Sequence, residues 1–341
     1  MTKTLPAAVQ QVFDRFITTE YTTIDGHGQP ITWPVTPYYS PGDDCISITT
    51  GLGYPKKADD AVRNWRVALL FSDPTGCGME DAPMVLVQGV AHVDDRDLDA
   101  NRERYWRESG EKLPATKAMH PPAFIRKSLG WYYTRIYVHV RPERVYMWPG
   151  GDASIEPELL DSHLDEVRSG HAEEPVAERP PVTGRDAVWD ARLDGLGSRT
   201  YPTAVLSLVA PDGFPFSIRL PVQPDEPAGC IRFGAEALGL PAEPGLACLT
   251  AHAHAPEFAW QNNFQVRGEF VERDGEWVFV PHKYVGGFIV PKGQVAMLRE
   301  NFRKSMRFRK KAKTELARRA RYAGARRRAS QSRTATAPAA K

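Results

Sequence analysis

The chain has 341 residues, 42% apolar and 25% charged, values of ordinary globular material and long enough for two domains. Its formal charge of +2 hides an asymmetry: residues 303–341 hold fifteen Lys or Arg against one acid, Glu315, which leaves the first 302 residues acidic. Four dispersed cysteines (Cys45, Cys77, Cys230, Cys248) without a CxxC pair fit free thiols in a reducing cytoplasm better than a disulfide framework. MTKTLPAAVQQVFDRF has no long apolar run, no segment reaches membrane-span length, and a cytoplasmic location is expected.

In chain order, Leu5 to Thr18 predicts a helix, with Val9, Val12, Phe13 and Phe16 at helical spacing. DGHG between Tyr21–Ile24 and Pro30–Tyr39 is a hairpin signal. Strand Cys45–Thr50 ends in two hydroxyls, Thr49 and Thr50, followed by a Gly-rich turn and by Lys56 and Lys57 at the start of a polar helix. Hydroxyls, freed N–H groups and lysines at a helix start suit a phosphate dianion. As a local pattern this is equally compatible with a plain strand–turn–helix connection. Strands Arg66–Ser72 and Met84–Val93 follow, then a charged helix from Leu98 to Glu111 and two β runs between Trp131 and Trp148 around a turn at Arg141–Pro142–Glu143.

From Gly150 to Arg199 acids and prolines mark a linker, with one helix expected at Pro157 to Arg168. The first pattern then returns. TAVLSLVAPDGFPFSIRLPVQ echoes the hairpin, Cys230 stands opposite Cys45, GLACLTA matches RVALLFS, and Arg267–Gly268 matches Gln88–Gly89. The second copy has EALGLPAEP where the first has its lysines, so one site per chain is expected. Val295, Leu298 and Phe302 predict a docking helix, and the tail is expected to be helical or disordered, suited to non-specific nucleic-acid contact or to solubilisation. The divisions are therefore 1–149, 150–199, 200–302 and 303–341. Cys248, His252 and His254 share strand parity, but no fourth ligand completes a zinc set, and the core reading prevails.

Three segments, DGHGQPITWPV, KKADDAVRNWRVALLF and VLVQGVAHV, in this order resemble the pyridoxamine 5′-phosphate oxidase-like superfamily of flavin-binding split β-barrels. The resemblance covers residues 18–95 well and the second copy by echo. It implies a mainly β fold with flanking helices (α+β): two fused split barrels forming an intrachain pseudo-dimer, with FMN or a deazaflavin coenzyme bound between them. It further implies that Lys57, with Lys56, Thr49 and Thr50, meets the phosphate. Trp33, Pro34, Val35 and Thr36 would border the ring, and Gln88 would hydrogen-bond its polar edge. The second copy would supply the opposite wall, with Trp260 for stacking, Gln261 and Asn262 for hydrogen bonds and Arg267 for charge. Where the family has Asn and Pro, this chain has Asp60 and Trp65, and an acid beside a phosphate opposes anion binding. The function implied is a flavin- or deazaflavin-dependent oxidoreductase of a small-molecule substrate. The alternative is a non-enzymatic flavin-binding or degenerate split barrel whose basic tail associates with nucleic acid.

Overall fold

The segments RVALLF and MVLV lack the polar–apolar alternation of a half-exposed strand, and the computed structural model shows why: both of their faces are covered. It describes residues 5–40, 44–113, 130–162, 179–234, 240–287, 290, 299–300, 303–304 and 306–321. Helix α1 (Ala7–Arg15) precedes the hairpin β1 (Thr19–Ile24) and β2 (Pro30–Val35). Then come β3 (Ile46–Gly51), α2 (Lys56–Arg63), β4 (Arg66–Phe71), β5 (Met84–Asp94), α3 (Leu98–Lys112) and β6 (Arg135–Trp148). These strands form a sheet in the order β2-β1-β4-β5-β6-β3, in which a bridge between Tyr38 and Ser47 draws the β2 side toward β3.

After β7 (Glu158–Ser162), the second half contains β8 (Thr203–Val209), β9 (Pro215–Asp225), β10 (Cys230–Phe233), β11 (Gly245–His254), β12 (Gln261–Arg273) and β13 (Glu276–Gly286). They close into a barrel, β10-β13-β12-β11-β8-β9, so the order of the first half recurs strand for strand. The irregularities recur as well. In both halves the fifth and sixth strands slip register beside a glycine, Gly89 opposite Pro142 and Gly268 opposite Pro281, leaving Glu143 and His282 as the extra residues. A Cβ at Gly89 would lie 2.3 Å from the Arg141 carbonyl oxygen, and one at Gly268 would lie 2.0 Å from that of Val280. Only glycine fits at either place.

Val67, Leu69, Phe71, Val85 and Val87 fill the first core together with Val9, Val12 and Phe13 of α1. The alternate residues Ala68, Leu70, Met84 and Leu86 join the core of the second half, beside Leu206, Ile218, Leu249 and Phe270. The interface between the halves also carries hydroxyls. Thr22 Oγ1 lies 2.9 Å from Thr32 Oγ1 and 2.9 Å from Ser217 Oγ, and Ser207 Oγ lies 2.7 Å from Thr32 Oγ1 and 2.8 Å from Ser217 Oγ. Each hairpin thus contributes one cross-strand pair to a closed ring of four, in which every hydroxyl can donate once and accept once.

Several expectations are corrected. Residues 131–148 do not form two runs about a turn; β6 is one strand, and Pro142, which has no N–H to pair, sits at its bulge. The expected helix at Pro157–Arg168 is, over its described part, strand β7, which pairs with β6 beyond the stretch covered by β3. The linker is not an acidic spacer throughout, since Leu193 and Leu196 are buried in the second core. The docking helix expected around Val295, Leu298 and Phe302 lies outside the described residues. A helix at 306–321 packs on the first half instead, with Ala312 in its core. Among the described residues, no helix is long and apolar enough to cross a membrane.

Candidate functional site

A cleft of about 420 Å³ opens between the two halves. Trp33, Pro34, Val35 and Thr36 form one border as β2 runs out, and Thr49, Lys56 and Lys57 come in from β3 and α2. The second half supplies Phe258, Gln261, Asn263 and the Gly286–Gly287 backbone. Of the ten residues the resemblance assigns to the phosphate, to the ring and its edge, and to stacking, seven therefore meet at one place.

The other three do not reach it. Thr50 follows Thr49 on a strand and must face the other way; its hydroxyl donates to the Tyr54 carbonyl at 2.9 Å and shapes the turn. Gln88 is 1% exposed and its Nε2 donates to the Pro215 carbonyl at 2.8 Å, so it joins the halves and does not border the cleft. Trp260 is outside the lining; its carbonyl accepts from Ala255 N–H, and Phe258 and Gln261 stand at the wall. Parity also decides the amides: Gln261 and Asn263 line the cleft and Asn262 does not. A Cβ at Gly287 would lie 1.7 Å from Asn263 Oδ1, so this glycine sets the position of that amide. Arg267 is turned toward Asp25, 3.9 Å away.

Asp60 is not the opposing charge that its place in the sequence suggests. It is 1% exposed and outside the lining, and it accepts from Lys56 Nζ at 2.8 Å and Arg63 Nη1 at 2.9 Å. The pairing occupies Lys56 and leaves Lys57 as the lysine of the cleft. Burial, and then the nearby Arg135 guanidinium, push the Lys57 ammonium down to about 8. Its Nζ lies 5.7 Å from the centre of the Tyr54 ring.

Arg135 was not foreseen. It is 5% exposed, lies 4.1 Å from the ring centres of both Tyr105 and Tyr132, and donates to the Tyr105 hydroxyl at 2.6 Å. Its Nε is buried with no hydrogen-bond partner among the described residues. The signal was the aromatic run GWYYTRIY, an unusual density of rings around one arginine. Also unforeseen are Arg303, Lys304, Arg307 and Phe308, which bring the C-terminal basic segment to the cleft.

The strand face carrying Cys248, His252 and His254 points at the first half. His252 Nε2 lies 2.5 Å from Glu20 Oε1, Arg219 Nη2 donates to the same oxygen at 2.8 Å, and Ser72 donates to Oε2 at 2.8 Å. Burial alone would raise the Glu20 carboxyl, but Arg219 and His252 outweigh it and hold it below its ordinary value. Asp73 stands 3.5 Å from both imidazoles and is lowered to about 2, burial again being outweighed by His252 and Arg219. Among the described residues no group of three His, Cys, Asp or Glu is placed to hold a metal.

No family model matches the sequence, and no curated protein matches it significantly. Solved structures do. A protein related to general stress protein 26, of the pyridoxine phosphate oxidase family, from Clostridium acetobutylicum is 14% identical; 47% of this chain and 94% of that one are covered, with a TM-score of 0.32. For an F420 reductase the identity is 16%, the coverage 41% and 98%, and the TM-score 0.31. For an FAD-binding protein from Mesorhizobium loti the values are 17%, 41% and 92%, and 0.29. What the strand order itself defines is a closed six-stranded barrel in the second half and a sheet of the same order in the first.

Proposed function

We propose that this chain is a flavin- or deazaflavin-dependent oxidoreductase of the pyridoxamine 5′-phosphate oxidase-like type, acting on a small molecule in the cleft between its two barrels. The observation that carries the reading is the composition of that cleft. A hydroxyl (Thr49), a partly buried lysine (Lys57) and a buried arginine (Arg135) stand at one part of it. A tryptophan–proline–valine edge forms another, and two amides (Gln261, Asn263) come from the opposite barrel. These groups fit a phosphate-bearing ligand with a flat, polar-edged ring: cations and a hydroxyl for the phosphate, apolar surface for the ring, amides for its edge.

Such a coenzyme, when bound, supplies hydride chemistry. The chain's own residues bind and orient it. Lys57 and Thr49 hold the phosphate, Trp33 to Thr36 limit the ring from one side, and the second barrel limits it from the other. Only the first half carries the lysines, which supports one site per chain.

The test is an equilibrium titration of the purified protein with FMN and with coenzyme F420, followed by visible absorption and by bleaching on addition of reductant. Binding of one of them at micromolar concentration, and its reoxidation by an organic acceptor, is the expected result. Binding without turnover of any acceptor would favour the non-enzymatic alternative. Binding of neither would refute both.

A further inference from the structure

Among the described residues, six cations and one carboxylate line the cleft, far more positive charge than one phosphate group requires. Lys56 is neutralised by Asp60, and Lys57 and Arg135 suffice for a phosphate dianion. The surplus comes from the C-terminal segment. Arg303 and Lys304 share the single carboxylate, Glu300, at 3.0 and 3.5 Å, and Arg307 adds a third charge. Lys304 is 8% exposed, and burial lowers its ammonium pKa. A cationic wall of this kind, with Glu300 as its described carboxylate, is favourable ground for an anionic group of a ligand.

The segment is held in place by contacts that have no other evident purpose. Phe308 stacks on Trp131 with ring centres 5.3 Å apart and meets Tyr54 at 5.8 Å. A Cβ at Gly53 would come within 3.0 Å of Phe308, so a glycine is kept where the helix lands. Further along, Arg318 and Arg319 each donate to Asp59 at 2.7 Å, and Arg319 also pairs with Asp95 at 2.5 Å. Arginines engaged in this way cannot serve a nucleic-acid backbone without first leaving the body. Phe308 and these pairs fix both ends of helix 306–321 and thereby set Arg307 at the mouth of the cleft.

We infer that Arg303, Lys304 and Arg307 hold a second anionic group of the coenzyme, and that the ligand accordingly carries anionic charge beyond the phosphate held by Lys57. The basic segment is a wall of the ligand site. This rests on the flavin-type reading above.

The experiment compares three probes on the intact protein: FMN, with one phosphate; FAD, whose further group is a second phosphate; and coenzyme F420, whose further groups are carboxylates. The wild type is expected to bind FAD or F420 at least tenfold more tightly than FMN, and the identity of the preferred probe names the second group. The double variant Arg303→Gln, Arg307→Gln should erase that preference, costing the larger probe about tenfold more affinity than it costs FMN. The matched control Arg309→Gln, Lys310→Gln, which removes the same charge from exposed positions away from the cleft, should leave the preference intact. FMN binding as tightly as both larger probes overturns the inference while sparing the proposed function. So does a preference that survives the double variant or is lost equally in the control. If none of the three probes binds, the proposed function itself fails.

Discussion

Replacing Lys57 with methionine separates the two things this residue does. Methionine keeps most of the apolar stem and removes the charge. The depression of the ammonium from 10.5 to about 8 corresponds to roughly 3 kcal/mol borne by the protonated form. Screening by the open cleft reduces the effect on stability to about 1–2 kcal/mol. The sign follows from proton binding. Below about pH 8 the folded chain keeps the proton and carries the cost in full. Between about 8 and 10.5 the unfolded chain binds the extra proton, so wild-type stability rises with pH and the cost disappears above that window. Lys57→Met should therefore stabilise the ligand-free protein at neutral pH, read as a higher denaturant midpoint with an unchanged slope. The gain should vanish toward pH 10.5. Coenzyme binding should move the opposite way, because a charge-assisted contact worth about 1.5–3 kcal/mol is lost, a roughly 10- to 150-fold weaker Kd. Wild-type affinity should also decline above about pH 8 as free Lys57 loses its proton, and below about pH 6 as the phosphate takes one up. The variant should show only the acid limb. Fluorescence titration of the coenzyme across this range gives both curves. A Lys57→Met protein with unchanged affinity, or a wild-type affinity flat through pH 9.5, would refute the assignment of Lys57 to the phosphate.

Four further outcomes are expected. Glu20→Gln leaves the Arg219 guanidinium buried beside a neutral amide and should cost about 3–5 kcal/mol, seen as a lowered Tm. The same network makes the fold acid-sensitive: the contribution of Asp73 is complete above about pH 4 and is lost as pH falls toward 2, which acid titration by circular dichroism would detect. Phe308→Ala removes the stacking on Trp131 and should release helix 306–321 to limited proteolysis while barrels one and two stay resistant; an unchanged cleavage pattern would mean that the ion pairs alone hold the helix. Truncation after Arg321 should abolish any salt-sensitive retention on nucleic acid and leave coenzyme binding intact; retention that persists would locate it elsewhere.

The hairpin, the strand sequence and the repeated Gly at residues 89 and 268 were legible because each is a local pattern with a short-range cause. The near-unbroken apolar runs of β4 and β5 gave the strands but not the burial of both faces, which depends on the second half packing against them. What stayed hidden had causes at long range or in parity. Thr49 and Thr50 read as a pair, yet a strand points them apart, and the same rule exchanges Asn262 for Asn263. Gln88 looked available until the second barrel presented the Pro215 carbonyl. Asp60 looked hostile to a phosphate because neither Lys56 nor Arg63 can be assigned to it without the turn of α2. The basic tail read as a solubilising or nucleic-acid-contacting arm because its partners Asp59 and Asp95 lie more than 220 residues earlier in the chain.

Carrying both walls of the cleft on one polypeptide has a consequence for how the site behaves on dilution. When two chains each give one wall, the site exists only above their dissociation constant, and scarce protein means missing sites. Here β2 and β12 are tethered, and the effective concentration of one wall around the other is set by the connecting chain, on the order of millimolar for a short linker. The two walls therefore stay together in a single molecule at any dilution. The two halves are also free of the equivalence that a pair of identical chains would impose on them, which is how one half can hold the lysines and the other the amides.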